Sequence, residues 1–119
     1  MKKILIVEDV EMNRDILYQL MEEDYELVAA EDGRQGLEMA AQEKPDLVLL
    51  DVGLGDIDGL EVARRIRADG ALRDTPIIAV TAHAMAGDKE QALAAGGSDY
   101  LPKPIDEDLL WEKVGKLIG

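Results

Sequence analysis

The chain has 119 residues, the length of one ordinary domain, and 47% of them are hydrophobic, which is enough to pack a core. Its 26 acidic and 13 basic residues give a formal net charge of −13, so nucleic acid and anionic membranes are unfavourable partners, whereas a cation or a basic protein surface suits it. The chain contains no cysteine, which excludes disulfides, thiolate catalysis and zinc ribbons.

Short apolar runs alternate along the chain with longer segments of helical periodicity. Five runs predict β-strands, at residues 3–7, 26–30, 46–50, 77–80 and, more weakly, 98–101. The first, third and fourth are continuously apolar, which is typical of parallel strands covered on both faces. Hydrophobic residues at helical spacing predict five helices, around residues 16–21, 37–41, 60–66, 86–95 and 109–118. This alternation predicts an α/β fold, a doubly wound five-stranded parallel sheet flanked by five helices, as one domain over residues 1–119.

The first apolar run also bears on location. Residues 4–7 are followed at once by Glu8 and Asp9, so the run is too short for a signal-peptide core or a membrane span. We therefore expect a cytoplasmic protein with no membrane partner.

Polar side chains stand where the predicted strands end. The first strand runs into Glu8 and Asp9, the third into Asp51 and the fourth into Thr81, and Lys103 follows the fifth. Doubly wound domains hold their sites outside the carboxyl ends of the strands, so we expect these five residues to converge. Three carboxylates so close repel one another unless a cation lies among them, and hard oxygen ligands favour Mg²⁺.

The residue types at this edge suit phosphoryl transfer. Asp51 offers a carboxylate that can attack phosphorus, as in enzymes that form an aspartyl phosphate. Mg²⁺ and Lys103 would neutralise charge on the equatorial oxygens during transfer, and Thr81 would hydrogen-bond the phosphoryl group afterwards.

Each of these residues also has a purely structural explanation. Acids are common at helix N-termini, which suits Glu8 and Asp9 as caps, and Asp51 suits a turn. A lysine such as Lys103 is solvated by default, and an isolated tyrosine such as Tyr100 is more often part of a core. A buried strand that ends in an unused carboxylate is costly, however, so the set as a whole favours a functional site.

Five segments, in this order and spacing, resemble the response-regulator receiver domain of two-component signalling. They are residues 4–9 (ILIVED), 47–51 (LVLLD), 58–59 (DG), 77–82 (IIAVTA) and 99–104 (DYLPKP). The resemblance implies the CheY-like fold, with strand order 2-1-3-4-5, over essentially the whole chain. It also implies a phosphorylation-driven switch that promotes its own modification but is not an enzyme acting on an external substrate. The stretches 7–13 and 81–85 look most like single-domain regulators and the receivers of hybrid kinases.

The resemblance also implies roles for individual residues. Asp51 would be the phosphoacceptor, and Mg²⁺ would be held by Glu8, Asp9, Asp51 and the backbone carbonyl of Gly53. Thr81 and Lys103 would hold the phosphoryl group, and the Tyr100 ring would move inward when Thr81 is drawn to it. The Lys103–Pro104 peptide bond matches one that is cis in this family.

The implied partners are proteins. The phosphoryl donor would be a histidine kinase or a histidine phosphotransfer protein. The face formed by helix 4, strand 5 and helix 5 would then change its affinity for a downstream protein target.

Two features depart from the family pattern. After Asp51 the family usually has a bulky residue and then a proline, whereas this chain reads Val52-Gly-Leu-Gly-Asp56, a more permissive loop. The positions that tune phosphoryl lifetime in the family are Gly53 and His83 here. Gly53 offers no side chain to hold the hydrolytic water.

Two other functions stay open at this point. A Mg²⁺-dependent phosphatase similar to the haloacid-dehalogenase family would carry a second Asp two residues after its nucleophile, whereas Asp9 is followed at that spacing by Glu11. A phosphorylation-independent binding module would keep only the receiver fold. Such modules usually lose the acceptor or the acids, all of which this chain retains.

Overall fold

The computed structural model describes residues 1–82 and 86–119, apart from the side chains of residues 86–88. Strands and helices alternate along this part of the chain, which confirms the predicted α/β class. The elements are β1 (Lys3–Val7), α1 (Glu11–Met21), β2 (Glu26–Ala30), α2 (Gly33–Glu43), β3 (Leu47–Asp51), α3 (Gly59–Ala68), β4 (Ile77–Thr81), α4 (Ala86–Ala94), β5 (Asp99–Pro102) and α5 (Glu107–Ile118).

The five strands form one parallel sheet in the order β2-β1-β3-β4-β5. This is the strand order that the resemblance implies. The order reverses direction between β1 and β3, so the carboxyl ends of these two strands flank the crevice in which doubly wound sheets bind ligands.

The limits of three strands differ by one residue from those predicted. The sequence pattern places them at 46–50, 77–80 and 98–101, whereas β3, β4 and β5 occupy 47–51, 77–81 and 99–102. The apolar pattern reports burial, whereas a strand ends where its hydrogen-bonded ladder ends. Asp51 still pairs with Val80, and Thr81 with Pro102, although both are polar.

The core lies in two layers because alternate residues of a strand face opposite sides of the sheet. On β1, Ile4 and Ile6 pack towards α1 and α5, whereas Leu5 and Val7 pack towards α2 and α3. Covering both faces leaves the edges of the sheet at the strand ends as the place where polar side chains gather. Within the described ranges, no helix is both long and apolar enough to cross a bilayer.

Candidate functional site

An acidic pair bridged by a lysine lies at the carboxyl ends of the central strands. Glu8 follows β1 and Asp51 ends β3, and their side chains are buried, with exposed fractions of 3% and 5% for the two residues. The Nζ atom of Lys103, just after β5, lies 3.2 Å from Oε2 of Glu8 and 3.3 Å from Oδ2 of Asp51. The ammonium therefore offsets part of the repulsion between two carboxylates that the fold takes out of water.

Asp9 completes an acidic group with this pair. Carboxylate oxygens of Glu8, Asp9 and Asp51 lie within 4.8 Å of one another, with Asp9 on the exposed side. The backbone N–H of Gly53 donates to Oδ1 of Asp51 over 3.0 Å, which fixes the rotation of that carboxylate. A cluster of hard oxygen donors with one solvent-facing member fits a small divalent cation such as Mg²⁺, which usually keeps several water ligands.

Helix α1 holds Glu8 in place through two residues that the sequence analysis missed. The Asn13 side chain donates to Oε1 of Glu8 over 3.0 Å, and Arg14 donates from Nη1 to the Glu8 carbonyl oxygen over 2.8 Å. The only signal in the sequence is their place in the first turns of the helix that follows Glu8. The N-cap residue of α1 is Val10, whose own side chain makes no cap hydrogen bond in the described part of the chain. Oε1 of Glu8 accepts the Val10 amide over 3.3 Å, so Glu8 also contacts the start of the helix.

Burial and neighbouring charges shift the pKa values of Asp51 and Lys103. Burial raises the pKa of Asp51, and the negative charge of Glu8 raises it further, against the lowering effects of the Gly53 amide and of Lys103. Burial acts to lower the pKa of Lys103, but the carboxylates of Asp51 and Glu8 outweigh it, so that this pKa is raised. Lys103 therefore stays charged, and the ionised form of Asp51 is kept at an energetic cost.

Thr81 and Tyr100 lie on the neighbouring strands. Thr81 is buried one residue beyond Val80, the partner of Asp51 on β4, and its carbonyl oxygen accepts the Lys103 amide over 2.8 Å. Tyr100 is half-buried on β5, with Nζ of Lys89 5.7 Å from its ring centroid, so the ring faces α4. The Lys103–Pro104 bond is cis. His83 lies outside the described residues.

A cleft of about 460 Å³ opens between α1 and the segment after β5, and the acidic group lies in its wall. Glu8, Asp51 and Lys103 line it together with apolar side chains such as Ile16, Leu17 and Ile105. Apolar walls lower the effective dielectric beside the acidic group, which strengthens its electrostatic interactions. Glu11, the second acid of the phosphatase alternative, is instead exposed at the start of α1.

The fold and this site together define a signalling receiver of the CheY-like class. The chain superposes on chemotaxis protein CheY4 of Vibrio cholerae with a TM-score of 0.93 and 26% identity over 99% of both chains. The receiver domain of sensor histidine kinase PA1611 from Pseudomonas aeruginosa gives a TM-score of 0.91 and 36% identity, covering 99% of this chain and 98% of that one. That domain holds a magnesium ion in its active-site cleft.

Sequence comparison gives the same assignment. The model of the response regulator receiver domain family matches residues 4–115. The chain is 38% identical over 119 residues to the polar-differentiation response regulator DivK of Brucella anthropi, covering 99% of this chain and 97% of DivK. It is 41% identical over 116 residues to response regulator PleD of Caulobacter vibrioides, but it spans only 26% of the length of that relative.

The chain therefore belongs to the response regulator receiver domain family, as the resemblance predicts. Receiver domains are phosphorylation-controlled modules of two-component signalling rather than classical enzymes, and they interact with histidine kinases or phosphotransfer proteins. They bind Mg²⁺ through an acidic pocket, which is the kind of group that Glu8, Asp9 and Asp51 form here.

The Lys103→Met variant is expected to be less stable than the unmodified protein by about 1–2 kcal/mol at neutral pH. Removing one partner leaves two buried carboxylates uncompensated, and the partial exposure of Lys103 keeps the loss below that of a fully buried pair. Because the pKa of Lys103 is raised above 10.5, its contribution is fully present below that pH and is lost as pH rises through the raised value. Urea denaturation across neutral and alkaline pH measures this.

Lys113→Met is the matched control for that variant. Lys113 is about as buried as Lys103, and it forms an ion pair at 2.8 Å with Asp99, a more exposed carboxylate away from the acidic group. Removing the Lys113 ammonium leaves one carboxylate without its cation, whereas removing that of Lys103 leaves two. We therefore expect Lys113→Met to be destabilised less than Lys103→Met. Equal losses in the two variants would contradict the view that Lys103 offsets repulsion between Glu8 and Asp51.

Proposed function

We propose that Asp51 accepts a phosphoryl group from a histidine kinase or a histidine phosphotransfer protein in a Mg²⁺-dependent reaction. The phosphorylated domain then changes its affinity for a downstream protein target through the face formed by α4, β5 and α5. The observation that carries this proposal is the bridge from Lys103 to both Asp51 and Glu8, with the carboxylate of Asp9 beside them.

Asp51 is the nucleophile in this proposal. Its Oδ1 accepts the Gly53 amide and its Oδ2 faces Lys103, so the carboxylate is oriented before a donor arrives. One carboxylate oxygen forms a bond to phosphorus, and the bond from phosphorus to the nitrogen of a phosphohistidine breaks, its electron pair leaving with the imidazole. Lys103, whose charge acts to lower the pKa of Asp51, and a bound Mg²⁺ would favour the ionised carboxylate that makes the attack.

The charges around Asp51 match those that transfer needs. The Lys103 ammonium is fixed 3.3 Å from the nucleophile before reaction and offers a preorganised positive charge for the phosphoryl oxygens. Mg²⁺, held by Glu8, Asp9, Asp51 and the Gly53 carbonyl, would neutralise further charge on the transferred group. Asn13 and Arg14 keep Glu8 oriented towards this position.

The output of the switch would run through Thr81 and Tyr100. Thr81 ends β4 beside β3, and its hydroxyl would hydrogen-bond the phosphoryl group. Tyr100 lies on β5, two residues before Pro102, which pairs with Thr81. Because the Tyr100 ring contacts Lys89 of α4, inward movement of the ring would alter the surface between α4 and β5. A shift of a few kcal/mol between two existing conformations suffices for such a switch.

The donor protein would approach over α1. Val10, Met12 and Ile16 are large hydrophobic side chains that are exposed near the cleft, with exposed fractions of 48%, 70% and 47%. An exposed apolar patch beside a reactive group is typical of a protein interaction site. The net charge of −13 favours partners with basic surfaces.

Intact-mass measurement tests the proposal. Incubation with acetyl phosphate and Mg²⁺ is expected to add one phosphoryl group, and EDTA is expected to prevent the addition. If no adduct forms but Mg²⁺ binds, trapping with beryllofluoride distinguishes rapid hydrolysis from a requirement for a specific donor. Absence of both the adduct and Mg²⁺ binding would refute the proposal in favour of a phosphorylation-independent module, and turnover of a small phosphomonoester would revive the phosphatase.

A further inference from the structure

Asp56 lies in the loop between β3 and α3, residues 52–58, which we call the acceptor loop. Its side chain connects this loop to helix α2. Its Oδ1 accepts the backbone N–H of Gly33 over 2.8 Å, and its Oδ2 accepts that of Arg34 over 3.1 Å. Both amides belong to the first turn of α2, where backbone donors lack partners within the helix and the helix dipole favours a negative charge. The Gly33 amide is the largest influence on the pKa of Asp56, which is lowered, as expected when hydrogen bonds favour the ionised form.

The same loop is fastened at its other end beside Asp51. The amide of Val52 donates to the Val80 carbonyl over 2.9 Å, and the carbonyl of Val52 accepts the Gly59 amide over 3.1 Å. Between this attachment and Asp56 lie Gly53, Leu54 and Gly55. Two glycines give this span more conformational freedom than other residues would, so its conformation depends on the attachments at its two ends.

We propose that Asp56 is a positioning residue for the Mg²⁺ site. By tying the loop to α2, it holds the Gly53 carbonyl where the acidic group can share a cation with it. The inference rests on the proposed function, which makes that carbonyl a metal ligand. The alternative is that Asp56 only stabilises α2 as a helix cap.

Asp32 allows these two roles to be separated. It is the N-cap of the same helix, and its side chain accepts the Gln35 amide over 2.8 Å. Its cap hydrogen bond therefore stays within the start of α2. The hydrogen bonds of Asp56 instead connect α2 with the acceptor loop, 23 and 22 residues further along the chain. Substituting either residue weakens the start of α2, but only the change at Asp56 releases the loop.

The test compares Asp56→Ala with Asp32→Ala in the full chain. Titration calorimetry with MgCl₂ measures the dissociation constant for Mg²⁺, and urea denaturation without metal measures stability. Both variants should lose similar stability, because each loses a side chain that caps α2. Asp56→Ala should also raise the dissociation constant about tenfold, the lower end of the range for groups that orient metal ligands. Asp32→Ala should change it by less than about twofold, and Asp56→Asn, which keeps one acceptor oxygen, should fall between them.

Hydrogen exchange gives a readout without metal. The amides of residues 53–55 should exchange faster in Asp56→Ala than in Asp32→Ala. Equal Mg²⁺ affinities in the two variants, with unchanged exchange in the loop, would overturn the positioning role while leaving the proposed function intact. Failure of the unmodified protein to bind Mg²⁺ would instead refute the proposed function and this inference together. If Asp56→Ala does not fold, Asp56→Asn supports the same comparison.

Discussion

Asp51→Asn is expected to abolish phosphorylation and, in the same protein, to raise the stability of the metal-free domain. The amide cannot act as the nucleophile, so no adduct should form with acetyl phosphate and Mg²⁺. The amide oxygen can still accept the Gly53 N–H, and Lys103 keeps its contact with Glu8. Removing a buried charge that burial and Glu8 both disfavour should therefore stabilise the domain by about 1 kcal/mol at neutral pH.

The pH dependence of this gain follows from the raised pKa of Asp51. The native state keeps the proton at pH values above 3.8 at which the unfolded chain has already lost it, so stability falls as pH rises through that window. Asp51→Asn removes this fall. The two proteins should then be equally stable in acid below 3.8 and should diverge as pH rises towards neutrality. Urea denaturation across this range is the measurement.

Mg²⁺ should reverse the order of stability. A cation that binds only the native state stabilises the unmodified protein in proportion to the logarithm of its concentration over the dissociation constant. The variant lacks one of the three carboxylates and should gain much less. A metal-free variant that is less stable than the unmodified protein would contradict this account. It would mean that the attraction between Asp51 and Lys103 outweighs the cost of burying the Asp51 carboxylate.

The sequence is sufficient to predict the sheet and the meeting of its polar strand ends. Continuous apolar runs identify buried parallel strands, and the geometry of such sheets requires their carboxyl ends to meet. For this reason Glu8, Asp51 and Lys103 are predicted to converge although up to 95 residues separate them, and the observed contacts confirm that. The chemical roles of these residues are a separate matter and await the experiments above.

The contacts that orient the site were not predictable in the same way. Asn13 and Arg14 contact Glu8 because α1 packs back over the end of β1, and no spacing in the sequence reports that packing. Asp56 looks like an ordinary turn residue until the start of α2 is placed beside it. Each of these contacts depends on tertiary structure.

The glycines of the acceptor loop show the same limit. The freedom that Gly53 and Gly55 give this loop does not involve a positive φ angle, because the described glycines with positive φ are Gly96 and Gly119. Among the described glycines, the shortest contact of an added Cβ with backbone is at Gly59, which begins α3. A side chain at Gly59 would collide with the backbone of Asp51 and Val52, at the end of β3. The sequence around Gly59 does not report this close approach.

Gly59→Ala is accordingly expected to be more damaging than the same change at Gly53 or Gly55 in the preceding loop. A Cβ atom there would meet the carbonyl oxygen of Asp51 and would lie 2.6 Å from the Cα atom of Val52. Both are backbone atoms, so the clash cannot be relieved by a rotamer change and must displace either α3 or the end of β3. We expect a loss of about 3 kcal/mol in the free energy of unfolding. We also expect slower phosphorylation by acetyl phosphate, because Asp51, the proposed phosphoacceptor, is moved.

Gly55→Ala is the control, because Gly55 lies in the acceptor loop four residues before Gly59. Among the described residues, no atom outside its chain neighbours lies within 4 Å of a Cβ built at Gly55, so its stability should change by less than about 0.5 kcal/mol. Urea denaturation and the rate of adduct formation compare the two variants directly. If both proved equally stable and equally reactive, α3 would be free to retreat from β3. The position of the Asp51 backbone would then be set by the sheet and by Asp56, and not by the close approach of α3.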